Sequence, residues 1–276
     1  IITAARVDAY GKTGSDAASI ALGQANAVGS FSALASGAVT LVGVGDLSLD
    51  PSPRLPGQGI AVRGSSVDVT SLTGGIALNG QVIATSGELS LSAGTLLVLN
   101  NPLSAIGGLR LSGLGVQTNP GATLTNTGTG GIGLTAGSAG IALGDAVIAA
   151  GQTVTLQSAG SILQNAGIIT AQRLDAFGPS GAAGGAISLA GANKVAQWSA
   201  LGSGAVTLTA DVPTMTLLAS PQDATAAVRG SRVTIGNSGG AVTASGALAA
   251  LNGPLAVTAS GLLTVAAPAS ATDSLM

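Results

Sequence analysis

Apolar residues recur along the whole chain in pairs that are separated by one small or polar residue. These pairs include Ile20/Leu22, Val39/Leu41, Leu47/Leu49, Ile76/Leu78, Leu89/Leu91, Val154/Leu156, Val206/Leu208 and Val233/Ile235. The i, i+2 spacing is that of a β-strand with one buried face. Clusters rich in Gly, Ser and Asn, which favour turns, lie between the pairs. Helical periodicity is almost absent, so the pattern predicts an all-β chain of short strands.

The chain also repeats at a much longer period. The segment IITAARVDAYG (1–11) returns as IITAQRLDAFG (168–178), and FSALASGAVTL (31–41) returns as WSALGSGAVTL (198–208) at the same offset along the chain. AVRGSSVDV (61–69) returns as AVRGSRVTI (227–235) at an offset shorter by one, so one residue is lost from the intervening loop. Short strands inside a duplicated block are typical of a solenoid, in which each coil contacts mainly its neighbours.

Three strands and three turns per coil require about 20–25 residues, which predicts roughly 12 coils for a chain of this length. We therefore predict a parallel β-helix, or β-solenoid. It is expected to be right-handed because crossovers between parallel strands normally are. The predicted organisation is a single solenoid domain over 1–276, with a repeat block over 1–167 and a partial copy over 168–276.

The composition narrows the possible functions. Only 7% of the 276 residues are charged, whereas soluble domains have about 25%. Cysteine and histidine are absent, which excludes disulfides, thiolate metal sites and the most frequent general base. No run of about 20 apolar residues occurs, so we expect no membrane insertion of this segment. A net charge of −2 gives no reason to expect a nucleic-acid partner. We expect no metal and no cofactor.

The segments GSILQNAGIITAQRLDAFG (160–178) and GAISLAGANKVAQWSALGSGAVTL (185–208) resemble repeats of filamentous-haemagglutinin-like large exoproteins. These are passengers of two-partner secretion in Gram-negative bacteria. The resemblance implies a right-handed β-helical filament that is secreted or held at the bacterial cell surface. It implies a structural or adhesive role without catalysis, in cell–cell or matrix contact and biofilms. The expected partners are flanking repeats or further copies end to end, and host or bacterial surface glycans.

Two charged pairs are candidates for a repeated recognition site. Arg6 and Asp8 recur as Arg173 and Asp175, and a spacing of two places both side chains on one side of a strand. They are interpreted either as a surface spot that binds a partner or as an outward ion pair that sets the register between coils. The second interpretation is favoured, because exposed ion pairs are frequent and each contributes only about 0–1 kcal/mol.

The sparse aromatic residues also recur at equivalent positions. Tyr10 corresponds to Phe177, and Phe31 corresponds to Trp198. Exposed rings would provide stacking platforms for sugars, whereas buried rings would anchor the corners of coils. The packing role is favoured, but carbohydrate binding or cleavage stays the main alternative function.

Other candidates are weaker. Arg63 and Arg229 each precede a glycine, and we expect their guanidinium groups to lie over backbone carbonyls at a turn. Asp46 and Asp50 form the nearest approach to an acidic pair, but the second copy has no acidic counterparts. We therefore predict that the protein is not an enzyme. Ice binding is a minor alternative. Thr-x-Thr segments, which are typical of ice-binding solenoids, occur in the chain, but they do not recur at a regular coil spacing.

Overall fold

The apolar pairs form strands that stack as parallel coils. The structure is a computed structural model that describes residues 1–11, 16–182 and 184–276. These residues contain 27 strands and no helix, and they form a β-solenoid of about twelve turns. The predicted all-β parallel solenoid is therefore confirmed.

The coils group into two compact units, unit 1 (Ile1–Thr135) and unit 2 (Ala136–Met276). The strands of unit 1 are β1 (Thr3–Ala9), β2 (Ile20–Leu34), β3 (Val39–Gly43), β4 (Leu47–Leu49), β5 (Ile60–Gly64), β6 (Val67–Ser71), β7 (Ile76–Leu78), β8 (Gln81–Ala84), β9 (Glu88–Ala93), β10 (Leu96–Leu99), β11 (Leu103–Ala105), β12 (Gly108–Thr118) and β13 (Leu124–Asn126). Strand β14 (Ile132–Leu143) contains the boundary. This boundary does not coincide with the end of the repeat block, and the prediction of one domain over 1–276 stays a prediction.

Unit 2 continues the same pattern of short strands. Its strands are β15 (Val147–Ser158), β16 (Ile162–Gln164), β17 (Ile169–Phe177), β18 (Ile187–Leu201), β19 (Val206–Ala210), β20 (Thr214–Leu217), β21 (Ala226–Gly230), β22 (Val233–Asn237), β23 (Ala241–Ala244), β24 (Ala247–Ala250), β25 (Leu255–Ala259), β26 (Leu263–Val265) and β27 (Ala269–Ala271).

Each regular coil contributes one strand to each of three faces. In unit 1, β3, β6 and β9 pair in parallel on face A, β4, β7 and β10 on face B, and β5, β8 and β11 on face C. In unit 2, face A holds β19, β22 and β25, face B holds β20, β23 and β26, and face C holds β21, β24 and β27. The longer β2 and β18 run through all three faces.

The interior consists of columns of aliphatic side chains, because the in-register pairing places like positions above one another. On face A, for example, Val39 pairs with Val67 and Val67 with Leu89, and all three side chains are buried. Ile20 also pairs with Val39, and this step along the chain is shorter than the step from Val39 to Val67. The two steps fall on either side of the predicted range of coil lengths, which is therefore too narrow. The longer coil carries the loop 50–59.

Close stacking of the turns explains part of the high glycine content. A Cβ on Gly74 would fall on the backbone of Gly45 in the preceding turn. A residue with a side chain would therefore force these two turns apart, so glycine is required for the coil spacing of about 4.8 Å.

Candidate functional site

The repeated Arg–Asp pairs form within single strands, as the spacing predicts. Arg6 Nε donates to both carboxylate oxygens of Asp8, at 3.0 and 2.9 Å, in β1. Arg173 Nε donates to both oxygens of Asp175, at 2.9 Å each, in β17. Each pair is thus an ion pair with charge-assisted hydrogen bonds to both carboxylate oxygens, which are stronger than neutral ones.

Both pairs extend beyond their own strand in the same way. Arg6 Nη2 donates to the carbonyl of Pro51 at 3.0 Å, and Ser32 Oγ donates to Asp8 at 2.6 Å. In the second copy, Arg173 donates to the Ala219 carbonyl at 3.0 Å and Ser199 to Asp175 at 2.6 Å. We call each set of four residues an Arg–Asp clamp: Arg6, Asp8, Ser32 and Pro51 in unit 1, and Arg173, Asp175, Ser199 and Ala219 in unit 2.

Each clamp fastens a loop that leaves the coil after a face B strand. In unit 1 the loop 50–59 is closed at its base by a hydrogen bond from Ser52 N to the Ile60 carbonyl, at 2.7 Å. In unit 2 the shorter loop is closed by Ser220 N and the Ala226 carbonyl, at 2.9 Å. The base of the loop has the same geometry in both copies, but the second loop is two residues shorter, not one as predicted. The register accounts for the difference, because the segment from Ala210 to Thr216 is one residue longer than its counterpart in unit 1.

The two clamps differ in burial. The Arg6 and Asp8 side chains are 40% and 24% exposed, whereas those of Arg173 and Asp175 are 25% and 5% exposed. The expectation that both pairs decorate the outside is wrong for Asp175, which is covered by contacts such as that with Ser199. In unit 1, the hydrogen bond from the Arg6 guanidinium holds the pKa of Asp8 below its usual value.

Three of the four aromatic side chains are buried. Phe31 and Trp198 are fully buried, and the Trp198 Nε1–H donates to the Val195 carbonyl at 2.8 Å. Phe177 is 5% exposed and packs with Leu201, Ala226 and Ala182. The sugar-stacking interpretation is therefore wrong for these three rings, because burial leaves them no free face.

Tyr10 differs from the other three rings. It is 37% exposed, and the Arg54 guanidinium carbon lies 4.3 Å from the centre of its ring. This cation–π contact ties the end of β1 to the loop 50–59, the same loop that the unit 1 clamp fastens. The Tyr10 face nearest the loop is thus already occupied by a side chain of the protein.

The turn arginines bind carboxylates rather than carbonyls. Arg63 Nη2 donates to both oxygens of Asp16 at 2.8 Å, and Arg229 Nη1 donates to Asp223 at 3.0 Å. The predicted carbonyl contact is therefore wrong for both. The acids come from different loops in the two copies, so the arginine is kept while its partner changes.

Two groups of polar residues were not predicted from the sequence. Buried asparagines close the corners after face A: Asn193 Nδ2 donates to the Leu189 and Thr209 carbonyls at 3.3 and 3.2 Å, and its Oδ1 accepts the Ile169 N–H at 2.8 Å. Asn26 makes the corresponding bonds in unit 1. The N-x-V pattern at both positions is the sequence signal for this corner cap.

The second unpredicted group is an asparagine ladder on unit 1, formed by Asn79, Asn100 and Asn119. Asn119 donates to Asn100 at 2.6 Å, Asn100 to Asn79 at 3.2 Å, and Asn79 to Asp50 at 3.0 Å. Asp50 also accepts hydrogen bonds from Ser30 and Ser48, at 2.5 and 2.6 Å. Burial alone would raise the pKa of Asp50, but these hydrogen bonds together lower it below the usual value.

The predicted acidic pair does not form a shared site. Asp50 is engaged by the ladder, while Asp46 Oδ1 accepts the Gly75 N–H at 2.8 Å. No group of three or more His, Cys, Asp or Glu residues that could hold a metal ion was found in the described part of the chain.

A polar groove of about 300 Å³ crosses face A of unit 1. Its lining includes Ser90, Ser92, Arg110, Ser112 and Thr135. The Arg110 side chain is 72% exposed and its Nε lies 2.8 Å from a Glu88 carboxylate oxygen. The serine and threonine hydroxyls beside an accessible guanidinium could form hydrogen bonds with a polar ligand.

Comparison of the chain with protein-family models, curated proteins and solved structures gave no match. Within the residues that the structure describes, no helix is long and apolar enough to cross a membrane.

Proposed function

We propose that the chain is a structural and adhesive segment of a secreted or cell-surface β-solenoid filament and performs no catalysis. One observation carries this proposal. The charged and aromatic residues that the two copies share are engaged in holding coils and loops together. A duplicated recognition or catalytic motif would instead keep its reactive groups available to a ligand.

The Arg–Asp clamps supply the clearest support. In unit 2 the Arg173 guanidinium bonds Asp175 and the Ala219 carbonyl, and Asp175 is almost fully buried. In unit 1 the same bonds recur with Asp8 and Pro51. What the duplication preserves is therefore a set of contacts between neighbouring coils. Copying such blocks lengthens a solenoid without adding chemistry.

Strand β26 of unit 2 presents a surface on which another solenoid coil could stack. Leu263 pairs in register with the buried Val242, and Val265 pairs with the buried Ala244. Leu263 and Val265 are nevertheless each 43% exposed. These are interior positions of face B, so a further coil or a second molecule stacked on them would bury apolar surface and complete the strand ladder.

The resemblance to filamentous-haemagglutinin-like repeats supports an extracellular location and an adhesive role within this proposal. The carbohydrate-binding alternative now depends on the polar groove around Arg110 rather than on the rings. Binding of the chain to a glycan array that is lost in Arg110→Ala would favour that alternative.

Display of the chain on a non-adherent bacterium tests the proposal. We expect displayed wild-type chain to make the cells aggregate and sediment, because exposed coil faces on neighbouring cells stack. The double variant Leu263→Asp/Val265→Asp is expected to abolish aggregation, since it places charge on the stacking face. Leu251→Asp changes an exposed turn residue of unit 2 and should have no effect. Cells that stay dispersed with folded wild-type chain, or that aggregate equally with all variants, would contradict the proposal.

A further inference from the structure

An apolar groove of about 350 Å³ lies on face B of unit 1. Its lining includes Gly29, Asp46, Ser48, Ala77, Leu96 and Val98. Leu96 is 41% exposed, although most large apolar side chains of this unit are buried. Volumes in this range suit small ligands, and an apolar lining with one carboxylate defines the chemistry of what would bind.

The second copy shows that the fold does not need an apolar surface here. In unit 1 the outward column consists of three residues in register, Ser48, Ala77 and Val98. In unit 2 the equivalent column is Thr216, Thr243 and Thr264. The inward neighbours stay apolar in both copies, so the outward difference is independent of the core. Folding therefore does not require the apolar residues Ala77 and Val98 at these outward positions of unit 1.

More apolar side chains are exposed beside this groove. Val44 and Leu72, which are 42% and 51% exposed, lie in the turns that lead into β4 and β7. Leu114, 49% exposed, lies in β12 next to Gly115, the register partner of Leu96. Clustered exposed apolar residues mark binding surfaces more often than single ones do.

The carboxylate of the groove has no cationic partner in the part of the chain that the structure describes. Asp46 makes no ion pair among the described residues. In unit 2 the turn between faces A and B carries its acid at a different place, because Asp211 occupies the position of Val44 rather than that of Asp46. Lys194 Nζ binds this Asp211 through its carboxylate and, at 3.0 Å, through its carbonyl. The position equivalent to Lys194 is Ala27 in unit 1. Unit 2 thus pairs the acid of this turn with an amine of its own chain, whereas no amine among the described residues pairs with Asp46 in unit 1.

We propose that this groove binds an aliphatic amine, with the ammonium group at Asp46 and the apolar stem along Ala77 and Val98. A lysine side chain combines these two properties by covering apolar surface with its stem while its head pairs with an acid. The column from Ser48 to Val98 spans two coil steps, roughly 10 Å, which sets the length of the stem. The amine site is separate from the coil stacking proposed above, and neither depends on the other.

Titration of the full chain with n-octylammonium chloride, followed by calorimetry or NMR below the micellar concentration, tests the site. We expect saturable binding of n-octylammonium at one site. Ammonium chloride lacks the stem and sodium octanoate reverses the charge, so both should bind at least about tenfold more weakly.

Three variants assign the binding to the groove. Asp46→Asn removes the charge but keeps an acceptor for the Gly75 N–H, and we expect affinity to fall about threefold to fivefold. Val98→Thr installs the residue found in unit 2 and should weaken binding about twofold to fourfold. Asp68→Asn changes an exposed acid outside the groove and should leave binding unchanged. Octanoate binding as tight as that of n-octylammonium, no saturable binding, or equal affinity in Asp46→Asn with an unchanged circular dichroism spectrum would overturn the proposal.

Discussion

At the scale of single residues, the rings and amides of this chain act through burial. Phe31 packs in register between Val7 and Leu49, and Trp198 packs between Leu174 and Leu217. Both rings therefore replace an aliphatic residue in the same interior column of the two copies. Their value to the molecule lies in the apolar area that they remove from water.

Truncation of a buried ring should cost much more than truncation of the exposed one. We expect Trp198→Ala to lower the free energy of unfolding by about 3–5 kcal/mol, because it removes a fully buried ring and leaves a cavity. Tyr10→Ala should cost less than about 1 kcal/mol, since only a half-exposed contact with Arg54 is lost. Urea unfolding of both variants measures the difference. Similar costs would contradict the packing role.

The contribution of a buried asparagine to stability depends on whether its amide finds hydrogen-bond partners. Asn193 is fully buried and bonded at both ends of its amide, as described above. Asn126 in unit 1 is also buried, but neither its Nδ2 nor its Oδ1 has a hydrogen-bond partner among the described residues. A buried amide without partners destabilises the folded state.

The same substitution should therefore have opposite effects at the two sites. Asn126→Leu is expected to raise the free energy of unfolding by about 1–2 kcal/mol, because it replaces an unpaired amide by an apolar group. Asn193→Leu should lower it by about 2–3 kcal/mol, because it leaves the Ile169 N–H and two carbonyls unpaired. Urea midpoints of the two variants compare these values, and destabilisation by both would refute the expectation for Asn126.

At the scale of elements, polar side chains connect strands that are one coil apart. The asparagine ladder crosses successive coils of unit 1 and ends on Asp50, which also bonds Ser30 and Ser48. A shift of one strand by one residue would break several of these bonds at once. The ladder therefore helps to fix the register of face B.

The hydrogen bonds to Asp50 and Asp8 make the free energy of unfolding depend on pH in the acid range. The pKa of Asp50 and that of Asp8 are lowered in the folded state, so the unfolded chain takes up protons more readily. Stability is then fully present above the ordinary carboxyl value of about 3.9 and is lost as pH falls through the lower folded-state pKa. Asp50→Asn should be less stable at pH 7 and lose less on acidification. Urea unfolding between pH 7 and pH 2.5 tests this, with Asp68→Asn as the control; parallel curves for wild type and Asp50→Asn would argue against it.

The sequence predicted the strands far better than the polar contacts. The i, i+2 pairs and the long duplication identified coils such as those of β3 and β6, because burial of alternate residues is a local property. From the sequence, Asn79 and Asn100 look like turn residues only. Their mutual hydrogen bond could not be predicted, because they are 21 residues apart along the chain. The partner of Arg6 in the loop is 45 residues away, and the burial of Asp175 depends on Ser199 in the next coil. Such contacts require the register of neighbouring coils, which periodicity alone does not supply.

At the scale of the whole molecule, the chain is organised by duplication. The second copy keeps the clamp and the interior columns of the first, but it replaces the ladder acid Asp50 by Leu218 and the outward Ala77 and Val98 by threonines. The features that both copies keep are those that hold coils together. The features that differ lie on outward positions, where a substitution does not disturb the interior columns.

The claim that the duplicated Arg–Asp motif is a clamp is tested most directly by one substitution made in both copies. Arg173→Met leaves the 5% exposed Asp175 carboxylate without its cation, and we expect a loss of about 2–4 kcal/mol in the free energy of unfolding. Arg6→Met removes a more exposed pair and should cost about 0–1 kcal/mol. Urea unfolding of the two variants measures both costs. Equal and negligible losses, together with reduced aggregation of cells that display either variant, would show that the motif is a recognition site instead.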